Sequence, residues 1–325
     1  TEALQLPPVQ HPYLAKAGVN SMHNDAGQTD SYHWAGPLGI NPKISTQQYH
    51  RITGSCVAQT FDRKGNMIGT CVSPFGVNLV ARDPATLEIL ADQSITRWLP
   101  IGEKFSGGVY FHLDHEDQVL LASNNLHIER WSLQPLGKVV RWERTTQISI
   151  GKLLNAVRKD DHKVIDVMPD WQGNYWFITR AGLVGVVGSD GSEGQVIALG
   201  SGDIVEGIDN ALAVGENGVF VVSNYAMYNF ERASDGSIRQ QWREAYDRGS
   251  AAKEGTMGFG SGTTPTLVQD KYVAITDNAD GQVHVNVYAQ RPRDGQQLVC
   301  SQGVFPADRG TSENSMAVVG NSLIV

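Results

Sequence analysis

Polar side chains that could bind a metal ion or a substrate recur at one kind of position in this chain. Each directly follows a short apolar run, as Asn224 follows VFVVS and Asp277 follows YVAIT. Asn124 and Arg180 take the same position after two earlier runs. Carboxylate and amide oxygens are the ligands that Ca²⁺ prefers, so a fold that gathers these residues would create a candidate cation site.

The elements that must position these residues are hairpins. The stretch Asp209–Tyr225 reads DNALAVGENGVFVVSNY, with apolar runs on both sides of an Asn-Gly pair, which is a strong hairpin signal. Glu313–Val325, ENSMAVVGNSLIV, repeats the pattern and stops inside its second strand. We therefore expect the natural chain to continue past Val325.

The hairpins repeat along most of the chain. Their second strands are predicted at Asn66–Thr70, Val119–Ser123, Tyr175–Thr179, Val219–Ser223 and Tyr272–Thr276, with starts 53, 56, 44 and 53 residues apart. Each unit also has a later strand pair, such as Leu126–Trp131 with Val139–Glu143. A period near 50 residues with four strands per unit predicts an all-β fold, a β-propeller of four-stranded blades, with six to eight blades in the full ring.

Two regions are expected. Residues 1–51 are rich in proline and lack alternation, which predicts an irregular N-terminal segment packed on the propeller. Residues 52–325 form the blades, of which the last, beginning at Asn314, is incomplete. Helix signals are scarce, with candidates at Lys152–Lys159 and Arg239–Arg248, and the second is more simply a strand that leaves a blade.

In a propeller, the starts of the first strands and the ends of the second strands gather at one mouth of the central channel. The first-strand starts contribute Asn210, Thr263 or Thr264, and the pair Glu313-Asn314. Together with the residues that follow the second strands, they predict a metal or polar-ligand site whose metal ligands are Asn124, Asn210, Asn224, Asp277 and Glu313. The alternative is that these are ordinary turn residues at strand ends.

A family resemblance adds to this prediction. With Asn224, the Asp277-Asn278 pair and Glu313-Asn314, the chain resembles the calcium-dependent propellers of the gluconolactonase/SMP-30, paraoxonase and strictosidine synthase-like families. The resemblance implies Ca²⁺ held by one Glu, two Asn and one Asp, polarising a lactone or ester carbonyl. Carried over, Asn124, Asn224 and Asp277 would be ligands, and Glu313 or Glu206 would supply the acidic one.

Arg180 departs from that pattern, because a cation would repel a metal. It suits an anionic substrate or an ion pair with Asp277. His127 and His284 follow Asn124 and Asp277 by three and seven residues, so either could act as a general base. The favoured alternative for each is a packed or surface histidine.

Two further histidine clusters have a structural alternative. His23, Asn24, Asp25, Asp30 and His33 lie close together in the N-terminal segment and could be loop metal ligands or Asx-turns and caps. The second cluster, FHLDHEDQ, contains His112, Asp114, His115, Glu116 and Asp117. By the alignment of the repeats it runs from a first strand into the connecting turn on the face opposite the mouth, and we interpret it mainly as a solvated turn.

Charge and cysteine content limit the function. The 325-residue chain has a formal charge of −8, which argues against a nucleic-acid partner, and no apolar run long enough to span a membrane. Cys56 and Cys71 flank a predicted hairpin symmetrically and are either a disulfide or two half-buried thiols. A disulfide would imply an oxidising compartment, and we expect a periplasmic or secreted protein.

Three functions fit these observations. The first is a metal-dependent hydrolase that acts on a small-molecule lactone or ester at the channel mouth. The second is a non-catalytic propeller that binds a ligand or a protein. The third is a quinone-dependent dehydrogenase, because Trp98, Trp131, Trp142, Trp176 and Trp242 recur as blade-docking tryptophans do in quinoprotein propellers. The oligomeric state is left open.

Overall fold

A computed structural model describes most of the chain: residues 9–20, 22–32, 39–49, 54–73, 75–96, 110–123, 125–159, 162–200, 203–254, 256, 258–307, 309–311 and 313–325. These residues form five four-stranded antiparallel sheets and one two-stranded sheet. In each sheet, consecutive strands pair in chain order, so every sheet is a meander. The four-strand repeat predicted from the sequence is confirmed.

The strands of the first three sheets are β1–β4 (Ser55–Phe61, Met67–Ser73, Gly76–Arg82, Ile89–Ser94), β5–β8 (Phe111–Leu113, Val119–Ser123, His127–Leu136, Val139–Ser149) and β9–β12 (Val164–Pro169, Tyr175–Thr179, Leu183–Val187, Gln195–Ala198). The fourth and fifth are β13–β16 (Ala213–Gly215, Gly218–Val222, Ala226–Arg232, Ile238–Ala245) and β17–β20 (Thr266–Val268, Tyr272–Thr276, His284–Ala289, Leu298–Gly303). The sixth is β21–β22 (Ala317–Val319, Ser322–Ile324). A short helix α1, Gly151–Val157, joins the second and third sheets. The helix near Lys152 and the strand near Arg239 are therefore both confirmed.

Alternating side chains join each sheet to the two sheets beside it. In β6, Val119 and Leu121 pack in a core cluster with the first sheet, whereas Leu120 and Ala122 pack in another with the third. The same division occurs in β14, where Val221 faces the third sheet and Phe220 faces the fifth. Since successive side chains of a strand point to opposite faces, the second to fifth sheets are each buried between their neighbours in chain order. This packing makes the fold a β-propeller, and each sheet is a blade.

In the second to fifth blades, the first strand is the innermost. β5, β9 and β17 are buried at every residue, whereas the fourth strands β8 and β20 are mostly exposed. The mouth face is the one where first strands begin and second strands end. The opposite side, which carries the turns between first and second strands, is the turn face.

The N-terminal segment lies along these inner strands. Its backbone exchanges hydrogen bonds with one inner-strand residue in each of four blades: Leu113, Val214, Leu267 and Val318, at N···O distances of 2.6–2.8 Å. Only a segment on the propeller axis can reach the first strands of four different blades. Residues 13–20 and 22–31 therefore fill the central channel along these strands.

Blade 1 carries the disulfide that the sequence left open. Cys56 and Cys71 face one another on β1 and β2 and are bonded, whereas Cys300 is free and exposed on β20. In the described part of the chain, no helix is both long and apolar enough to cross a membrane.

Candidate functional site

The predicted site residues in the described part of the chain lie at the strand ends expected of them. Arg180, Asn224 and Asp277 follow the second strands β10, β14 and β18. Asn210 precedes β13 and Glu313, which is partly buried, precedes β21. The prediction at Asn124 falls on a residue outside the described ranges.

Arg180 forms an ion pair with Asp209, and the proposed pair with Asp277 is wrong. Asp209 was not considered in the sequence analysis, although it begins the first-strand segment of the next blade. A backbone hydrogen bond from Ile208 N to Arg180 O joins the same two blades. Beside it, Asn224 N donates to Gly207 O in the segment that leads into blade 4. The ion pair is therefore part of the junction between blades 3 and 4 at the mouth face.

Asp277 and His284 form a carboxylate–imidazole pair. Oδ2 of Asp277 lies 3.0 Å from Nδ1 of His284, and Oδ1 accepts hydrogen bonds from the backbone N–H of His284 (2.7 Å) and Ala279 (3.3 Å). The carboxylate is buried, whereas the His284 side chain is 33% exposed. With Nδ1 facing the carboxylate, Nε2 is the ring nitrogen left for a substrate proton.

The other predicted oxygen ligands have structural partners. Asn224 Oδ1 accepts the Gly207 N–H at 2.8 Å, and Asn210 Nδ2 donates to the carbonyl of Ser261 at 3.1 Å. Glu206 is almost completely buried, and its carboxylate binds Arg243 (2.8 Å), Tyr228 (2.7 Å) and the hydroxyl of Ser223 (2.5 Å).

These contacts can be compared with what Ca²⁺ requires. Six to eight oxygens should converge on the ion, with carboxylates that are not already satisfied by donors. Among the described residues, no group of three or more His, Cys, Asp or Glu side chains could hold a metal ion, and both oxygens of Asp277 accept hydrogen bonds. Asn224 and Asp277 therefore already have donors on oxygens that the resemblance assigns to calcium, and the calcium site stays a prediction.

His127 lies at the start of β7, paired with Ser123 and Ser149 on the flanking strands. Its Nδ1 is buried without a hydrogen-bond partner. No hydrogen bond joins its ring to Arg180, Asn224 or Asp277, so the described contacts do not bring it together with the other predicted site residues.

The FHLDHEDQ cluster divides into a buried and an exposed half. His112 is buried in β5, and its Nε2 lies 2.9 Å from Oδ1 of Asp166, which is itself fully buried in β9 of the next blade. His112 therefore belongs to the first-strand part of the cluster, and the solvated turn applies only to the residues after it. His115 and Glu116 are exposed, as expected. The apolar neighbours in Phe-His-Leu were the available signal, because an inner strand is buried on both faces.

The loop around His23 combines turns with an ion pair. Asp25 Oδ1 accepts the Gly27 N–H at 2.8 Å, which is the predicted Asx-turn, and Oδ2 accepts the Thr29 hydroxyl. His23 Nδ1 lies 3.0 Å from Asp30 Oδ1. His33 lies outside the described residues. Burial raises the pKa of Asp25 to about 6.

The turn face carries a cleft and a cavity that the sequence analysis did not predict. A cleft of about 640 Å³ runs across blades 3, 4 and 5, between the turns that contain Trp171, Asn217 and Pro292. A cavity of about 270 Å³ adjoins it on the axis and shares Trp171, Gly215 and Glu216 with the cleft. Asp25, Gly27 and Thr29 of the N-terminal segment form part of the cavity wall.

Comparison with known proteins finds similar solved structures but no family. No family model matches the chain, and no curated protein matches it either. Similar solved structures include the β-propeller domain of Cps50 (Swd1) from Myceliophteria thermophila, at 12% identity and TM-score 0.39, covering 86% of this chain and 92% of that one. A second is BamB from Moraxella catarrhalis, at 14% identity and TM-score 0.36, covering 80% of this chain and 78% of that one. A third is a luciferin-regenerating enzyme, at 14% identity and TM-score 0.33, covering 81% of this chain and 79% of that one.

Proposed function

We propose that this protein is a non-catalytic binding propeller that holds a basic segment of a partner protein on its turn face. The observation that carries the proposal is the charge of the axial cavity. Three of its lining residues are acidic, Asp25, Glu216 and Asp270, and none of its described lining residues is Lys, Arg or His.

The cavity has features suited to one cationic side chain. Trp171 lines the wall and can make a cation–π contact with an ammonium or guanidinium group. Glu216 and Asp270 are exposed, whereas Asp25 is buried deeper in the wall. A cation close to Asp25 would favour the ionised carboxylate, whose burial otherwise raises its pKa to about 6.

The adjoining cleft has room for the rest of a bound segment. It extends over three blades from Trp171 to Arg291, about twice the volume of the cavity. The net charge of −8 would also attract a basic partner at long range. A protein segment with one inserted Lys or Arg therefore fits this face better than an isolated small amine does.

The test uses decalysine as the probe. The control is an uncharged ten-residue peptide of glycine and serine with norleucine at each end. Binding is followed by intrinsic tryptophan fluorescence at two salt concentrations. We expect decalysine alone to bind, with an affinity that falls with added salt, and Asp270→Asn to weaken it about tenfold. Asp294→Asn removes an equal charge from an exposed turn of the same face and should change the affinity less than twofold. Equal affinity for wild type and Asp270→Asn would refute the proposal.

A hydrolase is the second candidate, favoured by the Asp277–His284 pair. In this alternative His284 Nε2 accepts a proton from water that attacks an ester or lactone, and Asp277 orients the ring. Hydrolysis of p-nitrophenyl acetate and of a γ-lactone should then persist in chelator and fall at least 100-fold in His284→Gln. Turnover no faster than buffer would remove this candidate. A rise in melting temperature on adding calcium, lost in Asp277→Asn, would favour the calcium-dependent lactonase instead.

A further inference from the structure

Arg248 lies at the mouth face where three separate segments meet. It follows β16 at the exit of blade 4, and its guanidinium carbon lies 3.9 Å from the ring centroid of Tyr225 and 5.2 Å from that of Phe259. Tyr225 follows β14, and Phe259 belongs to the glycine-rich segment before β17. Both aromatic rings hold the cation by contact with a π face.

The guanidinium has no acceptor in the described part of the chain. No described carboxylate forms an ion pair with it, and its Nε is buried without a hydrogen-bond partner. The nearest carboxylate in sequence, Asp247, instead accepts the backbone N–H of Gly249 at 3.0 Å. By contrast, Arg180 and Arg243, which lie where blades 3 and 4 meet, are both paired with acids. A buried N–H without a partner, such as this Nε–H, is costly unless an acceptor reaches it.

The surroundings of Arg248 are fixed in place. Its carbonyl oxygen accepts from Asn278 Nδ2 at 2.9 Å. The Phe259 segment is anchored because Ser261 N donates to the Tyr246 hydroxyl at 2.8 Å, and that hydroxyl donates to Ser223 O at 2.6 Å. Gly260 has φ +86, and a Cβ there would lie 2.4 Å from the Tyr246 oxygen, so this close approach requires glycine.

We propose that Arg248, held by Tyr225 and Phe259, is the binding site for a ligand carboxylate at the mouth face. The aromatic rings contact the guanidinium through its π faces, which leaves the N–H edge to meet the two oxygens of a planar carboxylate. The neighbouring rings also provide apolar surface for an aromatic or aliphatic acid. This site lies on the face opposite the proposed basic-segment site and is independent of it.

Calorimetric titration with benzoate, acetate and inorganic phosphate tests the site. We expect benzoate to bind more tightly than acetate, and both more tightly than phosphate. Arg248→Gln should lose at least tenfold in benzoate affinity. Arg248→Lys should lose less, because it keeps the charge but not the paired N–H donors. Arg239→Gln is the matched control, because it removes an exposed arginine from β16 of the same blade.

Three results would overturn the proposal. The first is unchanged benzoate affinity in Arg248→Gln, and the second is an equal loss in Arg239→Gln, which would indicate a general charge effect. The third is tighter binding of phosphate than of benzoate by the wild type, which would make the carboxylate assignment wrong. Melting curves for each variant establish that the protein titrated is folded, and Phe259→Leu supplies a second variant at the same site.

Discussion

Replacement of Asp25 by Asn should change how the stability of the protein depends on pH. Asp25 is buried against the axis, and burial raises its pKa from 3.8 to about 6. The folded protein therefore keeps a proton that the unfolded chain releases. Stability from this group is present below pH 3.8 and is lost as the pH rises to about 6.

The magnitude follows from the two pKa values. Each tenfold difference in proton affinity is worth about 1.4 kcal/mol, so the interval from 3.8 to about 6 corresponds to about 3 kcal/mol. Asparagine can still accept the Gly27 N–H but does not ionise. About 0.6 kcal/mol of this is already lost at pH 4, so from pH 4 to pH 7.5 the wild type should lose about 2.4 kcal/mol of unfolding free energy relative to Asp25→Asn.

Urea denaturation of both proteins at four pH values between 4 and 7.5 measures this difference. Subtracting one series from the other removes the contribution of groups that titrate equally in both. Parallel curves would refute the reasoning, because they would mean that Asp25 ionises in the folded state as readily as in the unfolded chain. Asp294→Asn, on an exposed turn, should give a series parallel to the wild type.

Two further predictions concern blade 1 and the N-terminal segment. Replacing both Cys56 and Cys71 by Ser should lower the unfolding free energy by about 3 kcal/mol, since the disulfide closes a loop with a sequence separation of 15; an unchanged denaturation midpoint would contradict this. His11 packs edge-on against Trp171, with ring centroids 4.3 Å apart, and burial lowers the pKa of His11 from 6.5 to about 3. The folded protein excludes a proton that the unfolded chain takes up, so stability falls as the pH drops below 6.5. Thermal or urea melts at pH 5 should show that His11→Gln has lost about 2 kcal/mol less unfolding free energy than the wild type, relative to neutral pH. An unfolding free energy that falls as steeply with acid in His11→Gln as in the wild type would contradict this.

The repeat was predictable from sequence because it depends on local pattern. A buried strand between two sheets needs apolar residues on both faces, and a tight hairpin needs residues such as Asn217-Gly218 that tolerate its backbone angles. Both requirements leave marks within about ten residues. The predicted strands Val119–Ser123, Tyr175–Thr179 and Tyr272–Thr276 consequently match β6, β10 and β18 to the residue.

Side-chain partners were harder to predict because they come from different blades. Arg180 pairs with Asp209 and not with Asp277. The backbone bonds between blades 3 and 4 bring the start of the first strand of blade 4 beside the end of the second strand of blade 3. His112 and Asp166 are 54 residues apart and meet only when blades 2 and 3 pack. No spacing rule along the chain connects such residues.

The sequence by itself determined the repeating four-stranded blades, because strand burial and turn chemistry are local. Only the tertiary structure decided what fills the axis and where the open surfaces lie. Residues 13–20 and 22–31 have no regular pattern, yet their backbone groups hydrogen-bond to the inner strands of four blades. That packing places Asp25 in the same cavity as Trp171, more than 140 residues away in the chain. The packing of blades 4 and 5 brings Tyr225 and Phe259 to Arg248.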